Sequence, residues 1–578
     1  MDQKRLFLAI AISVAILFGF QALMPRPPHR AVPVQTTAAG DTAGLPHPSD
    51  TISAVPQDAG NAPVAPDKPE PRLKIAAPRV SGSIDLIGAR FDDLVLNDYH
   101  ETIAPSSPLV RLLEARHDPQ PSYIQFGWSG PAGVKVPDSA SQWTESADTL
   151  TLGKPVTLTW DNGAGIVFQL IVGVDQDYMF QVQQRVENHT DAAVALHPWA
   201  RVRRDYTPQT GGYSVLHEGL VGWVDGRLRE TTYASAKSEG GKHNGIAYQG
   251  TGRGGWSGFT DKYWLEAVIP DQNADAATTY RFLDEGKGGY QADTVSTRAD
   301  EVPPHGDLSQ TARAFVGAKV VQLLTHYQDV DGIGHLSYAI DWGWFWFLTK
   351  PIYYALDWLN AALGNFGLAI LVFTIGVKGL FFPLANKSYK SMSKMKLLAP
   401  KMQALREQYK EEPAKLQSAT MQLYKAESVN PASGCLPMVL QIPVFFSLYK
   451  VIFINIDMRH APFFGWIHDL SSIDPTNVFN LFGLIPFDPT AISPFLHLGV
   501  WPLIMGVTMW GQQKLNPPPP DPMQARMFQF MPVIFTFMLA RFPAGLVIYW
   551  TWNNLLTIGQ QWLIMRQTRL ARPGLART

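Results

Sequence analysis

The sequence predicts an α-helical polytopic membrane protein with six spans, five of them in a C-terminal core, joined to a large all-β domain outside the membrane. Three observations predict it. Apolar runs of membrane length crowd the chain after residue 343, whereas residues 81–340 are polar, turn-rich and alternating. Lysine and arginine cluster on one side of the apolar runs. The average composition, 46% hydrophobic with net charge −1, conceals these two halves and by itself argues neither for nor against a nucleic-acid partner.

The first element, 1–24, is an apolar run (LFLAIAISVAILFGFQALM) behind Lys4 and Arg5. It exceeds a typical secretory h-region, and no small-x-small site precedes Pro25 and Arg26, so it predicts an uncleaved signal-anchor helix. Residues 25–80, rich in Pro, Ala and Thr, lack the apolar content for a core and predict a flexible linker. From Ser81 to about 340, runs such as PVTLTWDNGAGIVFQLIVGV alternate in hydropathy between Asn-Gly and Asp-Gly turns, the pattern of a large β-sandwich. The chain's single cysteine, Cys435, excludes an intrachain disulfide, which is compatible with a bacterial periplasm.

Residues 343–363 mix Trp, Tyr and Phe with Lys350 and Asp357 and predict an amphipathic helix in the membrane interface, broken at Pro351. The core, 366–565, holds apolar runs at 366–385, 435–454, about 495–512, about 527–541 and about 544–565. The segment 386–434 carries nine Lys or Arg against four Glu, and the tail 566–578 carries Arg566, Arg569, Arg572 and Arg577 with no acid. Both are therefore expected in the cytosol with the N-terminus, which leaves the β-domain outside. Within 386–434, Met395, Leu398, Met402, Leu405 and Tyr409 form a heptad seam, and Leu416, Ala419, Leu423 and Ala426 repeat it after Glu411-Glu412-Pro413. Two helices in an antiparallel hairpin follow. Its basic face suits RNA, acidic lipid or a partner protein as well as plain solvation.

Lys378 is the residue that points to function. It interrupts the apolar run 366–385 about seven residues from its end, roughly 10 Å deep if the run is one helix. Charges at such depth usually face a wet or protein-lined cavity, although a lysine reaching the interface is the plainer reading. No Asp or Glu lies in the central runs to neutralise it. Thr374 shares its helix face. Gln441 and Ser447 lie in the third run, and Trp550, Asn553, Asn554, Thr557 and Gln561 form one stripe of the last. Such polar groups are often only interhelical glue. With an unpaired cation among them, they predict a hydrated groove open to the cytosol that shortens the path of a polar polypeptide segment through hydrocarbon.

An intramembrane protease and a nucleotide-driven pump are disfavoured, because the second half has neither a phosphate-binding glycine loop nor H-E-x-x-H. His468, Asp469, Ser471 and Ser472 crowd one short loop, which is weak evidence for a triad. A solute or ion transporter using Lys378 is the main alternative. A carbohydrate-active β-domain is a lesser one, since His197, Asp205 and His217 are scattered.

The runs VKGLFFPL, SYKSMSKMKLLAPKMQALRE, LYKAESVNPASGCLPMVLQIPVFFSLY, RHAPFFGWIHDLS, DPMQARMFQFMPVIFTF and FPAGLVIYWTWNNLLTIGQQ are together highly specific. In them the chain resembles the YidC membrane protein insertases of Gram-negative bacteria, most strongly over about 341–565 and more loosely over 81–340. The resemblance implies a periplasmic β-supersandwich over 81–340, a five-helix insertase core and residence in the bacterial inner membrane. It implies insertion and folding of nascent membrane proteins, without enzymatic chemistry, cofactor or metal. The implied partners are the Sec translocon and its accessory subunits, the ribosome and signal recognition pathway through the hairpin and basic tail, and membrane lipids. It implies a client-binding groove of Lys378, Thr374, Gln441, Trp550, Asn553 and Asn554. The family usually has arginine where Lys378 stands, so here the charge is kept and the bidentate fork lost. The stretch 478–494 also reads as a longer outside loop than is common in the family.

Overall fold

The computed structural model describes residues 70–210, 216–284, 288–409, 412–427, 436–493, 496–515 and 522–570. They form two compact units that divide between Asp341 and Trp342, the short Thr102–Ser107 segment grouping with the second. The expected anchor at 1–24, the linker up to residue 69, Cys435 and the end of the basic tail lie outside the described residues.

The first unit is built of an eleven-stranded and a nine-stranded sheet. Alternation does what the sequence predicts: Ile166–Val174 buries every second residue and leaves the others partly exposed. This strand pairs antiparallel with Met179–Asn188, which pairs in turn with Gly306–Ala318. Phe91 of one sheet meets Phe180 of the other edge to face, with ring centroids 5.4 Å apart, so the two sheets share one aromatic core. The sheet begins earlier than expected. Arg72–Ala76, inside the stretch read as linker, is a strand pairing antiparallel with Val80–Asp85 and parallel with Thr149–Thr151. Leu73 and Ile75 are buried; the Pro-rich residues before them and Pro78 after them masked so short a strand.

Helix α1 (Tyr233–Gly240) starts at Thr232, whose hydroxyl accepts from Ser235 N, and α2 (Val321–Asp329) follows the last strand. One buried ion cluster ties the two sheets. Arg204 donates to Glu266 at 2.7 and 3.2 Å, to Asp261 at 2.7 and 3.0 Å, and to the Tyr233 hydroxyl at 2.8 Å. Burial raises the Glu266 carboxyl and the arginine opposes it, a fully partnered arrangement that offsets its own desolvation cost.

The second unit is helical: α3 (Trp346–Leu363), α4 (Phe366–Leu380), α5 (Phe382–Leu397), α6 (Ala399–Gln408), α7 (Pro413–Ala426), α8 (Leu436–Ile454), α9 (Val500–Leu515), α10 (Pro522–Leu539) and α11 (Ala544–Leu570). Helix α3 is amphipathic as expected, exposing Trp346, Phe347, Tyr354 and Trp358 while burying Ile352, Tyr353 and Leu356. Pro351 does not break it. The proline sits early in the helix, where a missing N–H costs one bond rather than a ladder.

The apolar run 366–385 is not one helix. Asn365 caps α4, accepting from Leu368 N at 3.0 Å, and the helix stops at Leu380. Its successor is bent from it by 67°. Pro383 has no N–H for the Gly379 carbonyl, and its ring crowds that turn. A similar break at Leu398, ahead of Pro400, divides the first arm of the hairpin, which the heptad seam predicted as continuous. Pro413 opens α7 as expected, and Lys401 Nζ lies 2.6 Å from Glu427 Oε1 across the hairpin.

Among the described residues no single helix is long and apolar enough to cross a membrane, although α4 with Phe382–Met392 passes as a bent pair. The apolar runs expected to span coincide with helices α4 and α8 to α11, none of which passes alone. The 15 residues of α4 reach roughly 22 Å, less than a hydrocarbon core of ~30 Å.

Candidate functional site

The polar stripe predicted on the last run becomes one side of α11, which reaches α4 and α9 through it and α8 through Tyr549 beside it. Lys378 Nζ, in the last turn of α4, donates to Thr557 Oγ1 at 2.9 Å. Thr557 Oγ1 donates in turn to the Asn553 carbonyl at 2.6 Å. One turn back, Trp552 Nε1 donates to the Leu371 carbonyl of α4 at 3.2 Å. Toward α9, Asn554 Nδ2 donates to Thr508 Oγ1 at 3.2 Å. Toward α8, Gln441 Nε2 donates to the Tyr549 hydroxyl at 2.6 Å.

Lys378 therefore sits where the 67° bend ends α4, beside carbonyls that α4 does not use itself. The helix macrodipole favours a cation there. Among the described residues Lys378 forms no ion pair, and α4, α8, α9, α10 and α11 contain no Asp or Glu at all. The hydroxyl of Thr557 is its partner. Thr374 is buried and its hydroxyl is spent on the Ile370 carbonyl of its own helix at 2.6 Å, so it lines the α4 face without reaching Lys378 by a hydrogen bond.

The six predicted residues are not one constellation. Lys378 with Thr557, and Gln441 with Tyr549, are two separate pairs bridged only by α11. Trp550 packs in an aromatic group with Phe445 at 4.6 Å and Phe535 at 6.2 Å, against a buried cluster of Met505, Leu539 and Val547. Asn554 is buried in the α9 contact. Asn553 Oδ1 and Ser447 Oγ are buried and have no hydrogen-bond partner among the described residues.

Sequence reasoning missed Tyr549 and Thr508, the partners of Gln441 and Asn554. A tyrosine within an apolar helix was the available signal, since a buried phenol usually finds a partner. It also passed over Lys450 of α8, which is buried and packs its methylenes against Gly343, where an added Cβ would lie 3.3 Å from Lys450 Cε.

The other candidates dissolve into structure. Ser471 N and Oγ and Ser472 Oγ all donate to the Asp469 carboxylate within 2.8 Å, which makes a loop turn rather than a triad. In the β unit, His197 Nδ1 pairs with the Ser296 carbonyl, Asp205 accepts from Arg203, and His217 Nε2 pairs with the Leu220 carbonyl. These three do not converge.

Two family profiles divide the chain. The YidC periplasmic domain matches 72–355 and the 60Kd inner membrane protein family matches 358–571. Over all of both chains, the sequence is 60% identical to the membrane protein insertase YidC of Granulibacter bethesdensis. The chain belongs to the YidC family. A second YidC, from Acidiphilium cryptum, is 55% identical over 87% of this chain and 85% of its own. Among solved structures, an active YidC insertase with its first transmembrane domain resolved aligns over 85% of this chain and 92% of that one, at 17% identity and a TM-score of 0.35. The YidC family match makes the sheet-built unit a periplasmic domain and the helical unit part of the inner membrane. Its two profiles meet inside α3, beyond the compact-unit boundary at Asp341.

Proposed function

We propose that the protein is a membrane protein insertase and chaperone, which receives segments of nascent inner-membrane proteins in a groove along α11 and releases their apolar stretches into lipid. The observation that carries the reading is Lys378: a cation at a helix end, held by a hydroxyl, in a helical unit whose five core helices contain no carboxylate. An acidic residue of a client would be its natural counter-ion. The buried, unpartnered Asn553 Oδ1 and Ser447 Oγ supply further polar lining. Binding is non-covalent, and the lysine acts as a point charge rather than a planar fork.

In the same reading the chain has six spans with both termini in the cytosol, α4 and α8 to α11 being five of them, and the groove opens to the cytosol. The α5–α7 hairpin and the basic tail face the ribosome and the signal recognition pathway, and the Sec translocon with its accessory subunits is a lateral partner for some clients. Lipid contacts the remaining helix faces. Site-specific crosslinking from Lys378, Gln441 and Trp550 to a stalled nascent membrane protein tests the groove. Crosslinks from Lys378 and Gln441 are expected, and silence at all three positions sinks it.

A further inference from the structure

The loop from α8 to α9 combines a rigid polar base with an apolar tip. At the base, the buried Asp474 carboxylate accepts from Trp466 Nε1 at 3.1 Å, from Thr476 N at 3.0 Å and from Trp501 N, in the first turn of α9, at 2.8 Å. Asn477 Nδ2 donates to the Leu496 carbonyl at 2.9 Å, and Val500 N to Thr476 Oγ1 at 2.9 Å. Both ends of the loop are thereby pinned to the start of an apolar helix.

The tip is the reverse. Phe479, Leu481, Phe482, Leu484, Ile485 and Phe487 are exposed, Leu484 at 83%, and so is Ile492 at 71%. Leu481 and Phe482 have φ of 51° and 61°, a left-handed conformation that bulky side chains rarely adopt. Outliers of this kind persist where the surrounding structure fixes them, often for function. Here the fixing bonds are internal: Phe482 N donates to the Asn477 carbonyl, Gly483 N to Asn480 Oδ1, Ile485 N to the Asn480 carbonyl and Phe487 N to the Ile485 carbonyl, all between 2.8 and 3.1 Å. A loop in water has no need to satisfy its own backbone. A loop at the hydrocarbon boundary does, because an unpaired backbone group loses its water there, and its backbone stays at that boundary while side chains reach inward.

We infer that residues 479–492 form a lipid-inserting tip, which dips Phe, Leu and Ile side chains into the acyl chains of the outer leaflet beside α9. The inference rests on the six-span topology proposed above. Composition selects lipid over protein as the occupant. A protein interface is rimmed by polar, hydrogen-bonding residues, whereas between 478 and 493 the sole charge is Asp488. That carboxylate is fully exposed, and hydrogen bonds from the Thr490 hydroxyl at 2.6 Å and Thr490 N at 2.9 Å hold it below the usual carboxylate range. Full exposure of this one charge suits the water side of the tip. Helix α9, which follows the tip in the chain, also exposes apolar side chains, Ile504 and Val507 among them.

The test uses the full-length chain with Cys435→Ser, in nanodiscs of phosphatidylethanolamine and phosphatidylglycerol. Leu484→Cys and Ile492→Cys carry nitroxides at the tip, and Lys242→Cys, on the exposed surface of the β unit, is the aqueous control. Collision with oxygen is expected to exceed collision with a water-soluble nickel chelate at 484 and 492, and the order to invert at 242. His468→Cys, on the same side as the tip, reports sidedness by reaction with an impermeant maleimide in spheroplasts against inverted vesicles. Nickel-accessible labels at 484 and 492 with His468→Cys labelled from outside overturn the lipid-inserting tip and leave the topology standing. Low access to both colliders means that protein covers the tip, whether a second copy or another partner, and overturns it equally. Labelling of His468→Cys only in inverted vesicles removes the topology, and the outer-leaflet placement with it.

Discussion

Replacing Lys378 separates charge from shape. In Lys378→Ala the charge-assisted hydrogen bond to Thr557 at 2.9 Å is lost, an interaction of about 1.5–3 kcal/mol in proteins and nearer ~0.6 kcal/mol when helices pair in lipid. Loss of a cation at the α4 C-terminus adds about 0.3–1 kcal/mol. Folding therefore weakens by roughly 1–4 kcal/mol on these terms. The functional term is of similar size but specific to acidic clients. A client carboxylate about 8 Å from the ammonium gains roughly 2 kcal/mol at an effective dielectric of 20, or about thirtyfold in occupancy. In a depletion-rescue strain, Lys378→Ala should slow insertion of a client with acidic translocated residues by about tenfold or more. The same client with those residues neutralised should be far less affected. Lys378→Arg should retain activity, and Lys378→Glu should lose it on the acidic client. Thr557→Val keeps the charge while removing its anchor, so it should cost stability and little selectivity. Equal insertion of the acidic client by Lys378→Ala and wild type would refute the charge role.

Further expectations concern packing and ionisation. Glu266→Gln leaves Arg204 short of a counter-charge in the core of the β unit, and thermal unfolding of that unit should lose about 3–5 kcal/mol. Asp92 is buried beside Arg72 and its carboxyl is pushed up to about 6, chiefly by burial. The folded state thus holds that proton more tightly than the unfolded chain does. The contribution to stability is full below about pH 4 and lost as pH rises through about 6, at most about 3 kcal/mol; Asp92→Asn should flatten that slope in unfolding curves at pH 4 to 7. At Gly506 an added Cβ would lie 2.1 Å from Thr536 Oγ1, so Gly506→Ala should separate α9 from α10 and lower the melting temperature, while adding Thr536→Ala should restore much of it. A double-mutant cycle for Asn554 and Thr508 should return a coupling of about 0.6–1.7 kcal/mol.

Local patterns carried much of this architecture. Period-two alternation over 166–174 suffices to define a half-buried strand, and the apolar runs at 435–454 and 544–565 coincide with α8 and α11. The 67° bend escaped because hydropathy runs straight through Pro383 and does not register a missing N–H. The strand at Arg72 escaped because its stability comes from partners across the sheet, not from its own five residues. The site divides in the same way. Helical spacing placed Trp550, Asn553, Asn554 and Thr557 on one stripe, yet could not show that Trp550 would be spent on an aromatic cluster or that Tyr549 would take Gln441. Gln441 and Tyr549, like Phe445 and Trp550, stand more than a hundred positions apart in the chain.

Asp474 and Gly499 carry a consequence for how this chain can diverge. A Cβ on residue 499 would fall 2.6 Å from the Asp474 carboxyl carbon, and that carboxylate is the one that receives Trp501 N. Alanine at 499 displaces the carboxylate, and a shorter residue at 474 leaves the start of α9 without its acceptor. Drift at either position alone is disfavoured, so the two should be inherited as a unit, and lineages that remodel the loop between them should replace both.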